Sequence, residues 1–311
     1  ALGGELILPA SLESIDTSAF TATKFTGSLV LPQKLVSIGD NAFISSSFNG
    51  ILTLPDTLKV IGDQAFQGTS IRGTVEIPNG VEVISKRLFQ STNIETVVIS
   101  DTVKEIQSNA FSRCTNLKAI KIGKQVAEVS LDAFSDTKAL MSIDVSSENT
   151  VFISIDGALL TSEKELIIYP QGKEFSIPIG TVTIGENVFA YRRDKVAISI
   201  PTSVKTIKSA AFRSSYFTSI DLGSVEVIGD QAFSYSNLNQ TLTIPESVKS
   251  IGKLAFEGCK FRSINLTGSK AILGSNPFYG CSKLENFVID SSDFVFEENT
   301  LMTKDYKIIT P

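Results

Sequence analysis

The 311-residue sequence contains no histidine and no tryptophan, and it has only three cysteines. Without histidine, the chain cannot build a Ser-His-Asp or Cys-His catalytic group, and it lacks a common zinc ligand. The cysteines form no Cys-x-x-Cys pair, so neither a disulfide framework nor a metal site is indicated. We therefore expect no catalytic residues, no metal site and no cofactor, and we predict that the chain is not an enzyme.

Positive charge is also scarce, since 28 Lys and Arg stand against 33 Asp and Glu and the net charge is −5. A nucleic-acid partner requires a basic excess that releases counterions from phosphates, so no such partner is expected. No uninterrupted apolar run of about 18 residues occurs, so we predict no membrane insertion of this segment. The first four residues show no signal segment, and we expect the chain to be a piece of a longer protein.

What the chain does contain is a unit of 21–23 residues, repeated eleven times and marked by one phenylalanine in each copy. An aliphatic residue stands five positions before each marker, and alanine usually stands immediately before it. One gap between markers is longer, at 55 residues. A fixed period of this length is typical of solenoid proteins. The markers are Phe20, Phe43, Phe66, Phe89, Phe111, Phe134, Phe189, Phe212, Phe233, Phe256 and Phe278.

The consensus of the copies reads L-x-I-P-x-x-V-x-x-I-G-x-x-A-F. Its first segment alternates apolar and polar residues and is rich in β-branched side chains, which predicts a short strand. Proline ends that strand because it has no amide hydrogen to donate. The V-x-x-I-G segment predicts a second short extended stretch, where glycine is expected to relieve the backbone as the coil turns. Since one unit cannot bury its own apolar face, neighbouring units must stack with parallel strands.

This consensus resembles the BspA-type leucine-rich repeat, also called the Treponema pallidum-type repeat, as in the runs Leu52 to Phe66 and Leu242 to Cys259. The resemblance covers essentially all of the chain. It implies a leucine-rich-repeat solenoid that is mainly β, with parallel short strands on the concave face, second short extended segments on the convex side and few helices.

Proteins of that family are typically displayed on, or secreted from, host-associated bacteria and some mucosal protozoan parasites, and they are implicated in adhesion. The resemblance therefore implies an extracellular or cell-surface protein-binding module. Its partner would be a protein, such as a host extracellular matrix protein or a surface protein of another microbe. The alternative is a rigid structural spacer that presents another domain.

The predicted organisation is a single array over residues 1–311, with repeats at about 1–143 and 176–289. An insert at about 144–175 interrupts it, and residues 290–311 are expected to begin a second insert. Within the first insert, Ala158–Thr161 and Leu166–Tyr169 flank a polar turn, which predicts a β-hairpin.

The outward positions of the first strands form the predicted protein-binding surface, on the expected concave face. They are short, mixed and mostly uncharged, and the alternative is that they are simply β-forming residues on a ladder. The hairpin and the tyrosines Tyr191, Tyr216 and Tyr235 are rival contact points, because exposed tyrosines favour interfaces. The outward positions are Thr53, Glu76, Val98, Lys121, Ser199, Asp221, Thr243 and Asn265.

The three cysteines, Cys114, Cys259 and Cys281, all stand three residues after a marker phenylalanine. The same column elsewhere holds mostly serine or threonine, which predicts a slot for small packed side chains and free thiols. A disulfide between Cys259 and Cys281, which lie in adjacent coils, is the alternative.

Aspartates three residues before a marker, Asp40, Asp63 and Asp230, raise the question of a calcium ladder like that of other solenoids. The same column also holds Lys86 and Lys253, which cannot ligate a hard cation. We therefore predict that these aspartates form local turns and caps.

Overall fold

The computed structural model describes residues 3–289, together with the backbone of residues 294–297, 300–303 and 308–310. The chain is a solenoid of about 12 turns whose strands pair mainly in parallel, and the described residues contain no helix. The predicted solenoid fold is therefore confirmed. The chain divides into two compact units, one formed by Ala1–Ser162 with Pro170–Glu174 and the other by Glu163–Tyr169 with Phe175–Pro311.

In the first unit, most coils contribute a first strand from the L-x-I-P segment and a second strand from the V-x-x-I-G segment. Its strands are β1 (Gly3–Gly4), β2 (Ser14–Ile15), β3 (Lys24–Phe25), β4 (Leu29–Val30), β5 (Ser37–Ile38), β6 (Leu52–Thr53), β7 (Val60–Ile61), β8 (Arg72–Ile77), β9 (Val83–Ile84), β10 (Asn93–Ile99), β11 (Glu105–Ile106), β12 (Ala119–Ile122), β13 (Glu128–Val129), β14 (Ser142–Val145), β15 (Phe152–Ile155) and β16 (Ala158–Thr161). The first strands pair as β4-β6 and β8-β10-β12-β14, and the second strands pair as β2-β5-β7 and β9-β11-β13. Both extended segments predicted from the consensus are thus present.

The second unit repeats this plan. Its strands are β17 (Glu165–Ile168), β18 (Thr183–Ile184), β19 (Ala197–Ser199), β20 (Thr206–Ile207), β21 (Ser219–Asp221), β22 (Val227–Ile228), β23 (Leu242–Thr243), β24 (Ser250–Ile251), β25 (Ser263–Asn265), β26 (Ile272–Leu273), β27 (Asn286–Val288), β28 (Phe294–Glu297), β29 (Thr300–Thr303) and β30 (Ile308–Thr310). The first strands pair as β19-β21 and β23-β25-β27, and the second strands form one row, β17-β18-β20-β22-β24-β26. The second insert predicted at residues 290–311 lies largely outside the described residues. The backbone described there forms the antiparallel sheet β28-β29-β30.

The marker phenylalanines form a stacked column inside each unit. In the first unit, Phe43 and Phe66 are fully buried, and their nearly parallel rings lie 5.4 Å apart between centroids. In the second, Phe233 lies 5.0 Å from Phe212 and 5.1 Å from Phe256. The alanine before most markers is also fully buried, because only a minimal side chain fits beside the ring. Large buried rings of this kind contribute strongly to the stability of the core.

A second buried column follows most markers by five or six residues, and the sequence analysis did not identify it. Phe48 packs edge-on against Phe43 at 5.8 Å, and Phe217 packs against Phe212 at 5.9 Å. Other coils fill this position with an aliphatic side chain, as at Ile71, so the column shows no single residue type. The core therefore contains one column of side chains that the consensus does not show.

The glycine of the V-x-x-I-G segment has a different purpose from the one predicted. At Gly39 and Gly252 φ is not positive, so these positions do not need the conformational freedom of glycine. A Cβ added at Gly252 would lie only 2.5 Å from the backbone nitrogen of Asp230 in the preceding coil. The glycine allows the two coils to approach closely, and the predicted relief of a turning backbone is wrong.

The insert contributes strands to both units. In the first unit, β15 and β16 form an antiparallel hairpin around Asp156-Gly157, and both turn residues have positive φ. That conformation and the Asp-Gly pair are typical of a two-residue hairpin turn. In the second unit, β17 pairs in parallel with β18 and places Leu166 beside Ile184. The strands predicted near residues 158–161 and 166–169 are present as β16 and β17. β17 is the first strand in the row of second strands of the second unit.

Aromatic residues from the insert end the phenylalanine column of the second unit. The rings of Tyr169 and Phe175 contact Phe189 at 5.4 and 5.1 Å. The guanidinium of Arg192 lies 5.1 Å from the Tyr169 ring centroid, and its Nε pairs with Asp194 at 2.6 Å. Arg192 occupies the column that elsewhere holds Ser, Thr or Cys, and this cation–π contact explains the exception.

Candidate functional site

The predicted surface residues of the first unit lie side by side on the outer face of the first strands. Val98 on β10 pairs in register with Glu76 on β8 and with Lys121 on β12. Lys121 in turn pairs with Asp144 on β14, a residue that the sequence analysis missed. Asp144 was missed because the residues from about 144 onward were assigned to the insert. These four side chains form one row across neighbouring coils.

Thr53 lies beside Val30, and both side chains are exposed. Val30 stands at the same position of its L-x-I-P segment, so alignment of the repeats alone would have found it. Val30 and Val98 are the apolar side chains among these outward positions, so the outer face of the first unit mixes apolar, polar and charged residues.

The second unit has two corresponding rows. Ser199 pairs with Asp221, and Thr243 pairs with Asn265, which is followed by Val288. All eight predicted positions in the two units point away from the core, six of them exposed and two, Val98 and Asn265, half-buried. That these positions bind a partner stays a prediction.

The outer face is shallow in both units. A depression of about 290 Å³ in the first unit is lined by Asp101, Lys121 and Asp144 together with neighbouring residues such as Ile122 and Val145. One of about 230 Å³ in the second is lined by Asp221, Thr241 and Thr243. Both are smaller than the clefts of about 300–1,000 Å³ that usually enclose small ligands. Such a surface fits the broad contact of a macromolecule better than an enclosed substrate.

The cysteines occupy the buried slot predicted for them. None of the three forms a disulfide bond. Each sulfur atom lies near the carbonyl oxygen of the marker phenylalanine in the preceding coil. For Cys114 and Phe89 the distance is 2.9 Å, and for Cys259 and Phe233 it is 3.1 Å. Threonine in the same column instead donates to its own coil, as Thr69 does to Phe66 at 2.8 Å. The cysteines are free, packed thiols.

We expect the three thiols to be unreactive in the folded protein. Burial raises the pKa of Cys114 from 9.0 to about 11 and that of Cys281 to about 12, so little thiolate exists near neutral pH. The stability that these neutral thiols contribute is fully present below pH 9.0, and it is lost as pH rises through the folded pKa values.

Titration with an aromatic disulfide reagent at about pH 8 should detect no thiol in native buffer and all three in denaturant. Rapid labelling of any thiol in native buffer would show that its coil opens or that the slot is not buried.

The aspartates of the D-x-A-F segment act as caps, but across coils. The Asp40 carboxylate accepts the backbone N–H of Asp63 at 2.8 Å, and Asp63 accepts that of Lys86 at 3.1 Å. Asp230 and Lys253 repeat the contact at 2.7 Å. The predicted caps are thus present, although each carboxylate binds a backbone N–H of the following coil and not one of its own turn. Among the described residues, no three His, Cys, Asp or Glu side chains converge as a metal-binding group.

The three rival tyrosines are exposed, and all belong to the second unit. Tyr279, one residue after its marker, is a fourth exposed tyrosine that the sequence analysis did not consider. The Arg193 guanidinium lies 5.5 Å from the ring of Tyr216. Within residues 3–289, no apolar helix is long enough to cross a bilayer.

Comparison with known proteins gives a family and a fold. The sequence profile described as BspA type leucine-rich repeat region matches six copies, over residues 4–52, 50–155, 169–285 and 217–309. A search of curated proteins finds no match.

Solved structures with the same fold come from several bacteria. A leucine-rich cell surface protein of Faecalibacterium prausnitzii is 23% identical, with a TM-score of 0.62 over 93% of this chain and 88% of its own. A leucine-rich repeat protein of Bacteroides ovatus is 22% identical, with a TM-score of 0.60 over 90% and 77%. The pneumococcal vaccine antigen PcpA is 17% identical, with a TM-score of 0.54 over 96% and 82%. At these identities the likeness concerns the fold alone.

Proposed function

The chain belongs to the BspA-type leucine-rich repeat family, and on that premise we propose that it is a non-catalytic protein-binding module of a cell-surface or secreted protein. The bound protein would be a host extracellular matrix protein or a surface protein of another microbe, so that the module serves adhesion. Repeat arrays generally present long surfaces of this kind to their partners.

The observation that carries the proposal is the set of outward rows on the first strands. Glu76, Val98, Lys121 and Asp144 are held in register by backbone pairing over a packed core. Their spacing is therefore fixed before a partner arrives, which reduces the entropy lost on binding. The mixture of acidic, basic and apolar side chains on a shallow surface suits a protein contact.

A purely structural role is the second candidate, and the phenylalanine columns favour it. Rings stacked at 5.0–5.7 Å over successive coils make each unit a continuous packed core. Such a core could hold another domain at a set distance without binding anything itself.

Binding to purified matrix proteins and mucin, measured with the whole chain and with two charge-matched variants, tests the proposal. The strand-face variant combines Glu76→Arg, Lys121→Glu, Ser199→Arg and Thr243→Arg. The control variant carries Val60→Arg and Ile272→Arg, at exposed positions of the second strands, and changes the net charge by the same amount. We expect at least one protein to bind, and the strand-face variant to weaken that binding about tenfold or more while the control does not.

Duplicating residues 67–111 separates the two candidates, because it lengthens the array by two coils in register and removes no surface residue. If the chain is a spacer, adhesion of cells that display it should change with array length and should be the same for the strand-face variant as for the natural chain. A binding module predicts the reverse. Absence of binding to every protein on the panel, by cells as well as by the purified chain, would refute the proposal.

A further inference from the structure

A line of exposed tyrosines and half-buried charged side chains runs along one corner of the second unit, away from the strand face. We call it the tyrosine edge, formed by Tyr191, Arg213, Tyr235, Glu257 and Tyr279. Backbone hydrogen bonds connect it from coil to coil: the N–H of Tyr191 donates to the Arg213 carbonyl at 2.8 Å, and that of Tyr235 to the Glu257 carbonyl at 2.6 Å. The tyrosine edge is thus one continuous surface.

The backbone at this corner gives a reason to expect a function. The residue two positions after the marker has positive φ in all eleven coils, and Tyr191 and Tyr235 adopt φ values of 61° and 57° there. A bulky side chain is uncommon in this conformation, and such positions often coincide with functional sites. Most other coils carry smaller residues at this position, although Arg113 stands there in the first unit. The smaller residues include Ala22, Ser45, Gly68, Ser91 and Ser214.

These rings have no role in the core. Tyr191, Tyr235 and Tyr279 are 66%, 54% and 50% exposed. The first unit has no aromatic residue in the same two columns, although its coils fold in the same way. Folding of a coil therefore does not require these tyrosines. We infer that they act at the surface.

One of the rings is held in place before any partner binds. The Tyr235 hydroxyl donates to Glu257 Oε1 at 2.7 Å, and this hydrogen bond raises the pKa of the hydroxyl. A Cβ at Gly258 would lie 2.7 Å from Cδ1 of the same ring, so the ring lies directly across that glycine. A ring fixed in this way loses little entropy when a ligand stacks on it.

The spacing of the tyrosines identifies the kind of partner. Two coils separate Tyr191 from Tyr235, with 5.1 and 5.0 Å between the successive marker rings beneath them. A polyproline II helix has three residues per turn and rises about 3.1 Å per residue, so prolines three apart recur at about 9 Å on one side. This repeat is close to two coils, and aromatic surfaces are the usual recognition sites for such helices.

Polar chemistry along the tyrosine edge fits the same partner. The backbone carbonyls of a polyproline II helix have no internal donor, and the hydroxyl groups of the exposed Tyr191 and Tyr279 can donate to them. With one cation and one anion, the edge does not select a polyanion.

We propose that the tyrosine edge binds a proline-rich segment of a partner protein in the polyproline II conformation. This proposal rests on the proposed protein-binding function and adds a second contact surface to it.

Binding of the whole chain to a labelled twelve-residue oligoproline, followed by fluorescence anisotropy, tests this proposal. The double variant Tyr191→Ser/Tyr235→Ser introduces the serine that other coils carry in this column, so its thermal stability should not fall. Tyr216→Ser is the matched control, since it removes an exposed tyrosine outside the edge. We expect the double variant to raise the dissociation constant about tenfold or more and the control to leave it unchanged.

A glycine-serine peptide of the same length and a chitin hexasaccharide complete the experiment. Binding of the hexasaccharide but not of oligoproline, equal binding of both peptides, or an unchanged dissociation constant in the double variant would overturn the proposal. The strand-face variant should bind oligoproline normally. If the double variant still binds the matrix proteins while oligoproline fails to bind, the tyrosine-edge proposal fails and the proposed function stands.

Discussion

Replacing Phe233 with alanine is expected to lower the free energy of unfolding of its coil by about 3–5 kcal/mol, the usual cost of removing a buried phenylalanine. The ring is fully buried and stacks between Phe212 and Phe256 at 5.0 and 5.1 Å. A smaller side chain leaves a cavity that neither neighbouring ring can fill, because the backbone ladders fix both coils. The loss should therefore fall near the top of that range.

Hydrogen exchange measured by mass spectrometry suits this test, because repeat arrays open locally as well as globally. Faster exchange should centre on the coil of Phe233 and its two neighbours. Phe20→Ala is the control. Because Phe20 is only partly buried, its replacement should lower the free energy of unfolding clearly less. Equal losses in the two variants would show that the column is not the main source of stability.

Asn149→Ala is expected to destabilise the end of the first unit by about 2–4 kcal/mol, because buried backbone groups that lose a partner cost about 1–3 kcal/mol each. The Asn149 amide donates to the carbonyls of Gly123 and Val126 at 3.0 and 2.9 Å. Its oxygen accepts the N–H groups of Val151 and Phe152 at 2.9 and 2.8 Å. One side chain thus satisfies four backbone groups, and entering water would replace only some of them.

Asn149→Asp separates the two halves of this contact. The carboxylate keeps both acceptor bonds but turns a negative charge toward two carbonyl oxygens, which raises its pKa on folding. Its stability should therefore be highest at acid pH and fall as the carboxyl ionises. Urea unfolding across a pH series measures this, with Asn149→Ala as the control that lacks the dependence. A flat profile for the aspartate variant would contradict the assigned bonds.

The sequence predicted the parts of the fold that repeat in the same residue type. The marker phenylalanines and the isoleucines five residues earlier are visible because one side chain fills each slot in most coils. The column of Phe48, Ile71 and Phe217 is not visible, since rings and aliphatic chains fill it equally well. The close approach at Gly252 also escaped prediction, because a spacing between coils is a tertiary property that the local pattern does not contain.

The candidate surface was predictable to a similar extent. Alternation within the first strands places residues such as Glu76 and Lys121 on the outside, as the structure has them. The neighbours of these residues depend on register between coils. Asp144 was missed because it was assigned to the insert, and only its pairing with Lys121 shows that it continues the row. The tyrosine edge required the backbone, since only the φ values and the contact between Tyr235 and Gly258 distinguish it from scattered exposed tyrosines.

Coils of unequal length fit the same columns, and this bears on how such a chain evolves. Phe212 and Phe233 are only 21 residues apart, yet their rings stack as closely as those of 23-residue coils. Unequal crossing-over between the gene segments that encode two coils would therefore give a shorter or longer protein with an unbroken core. Natural variation should then occur in whole coils, and the distance between surface motifs would change in steps of one coil while the fold is preserved.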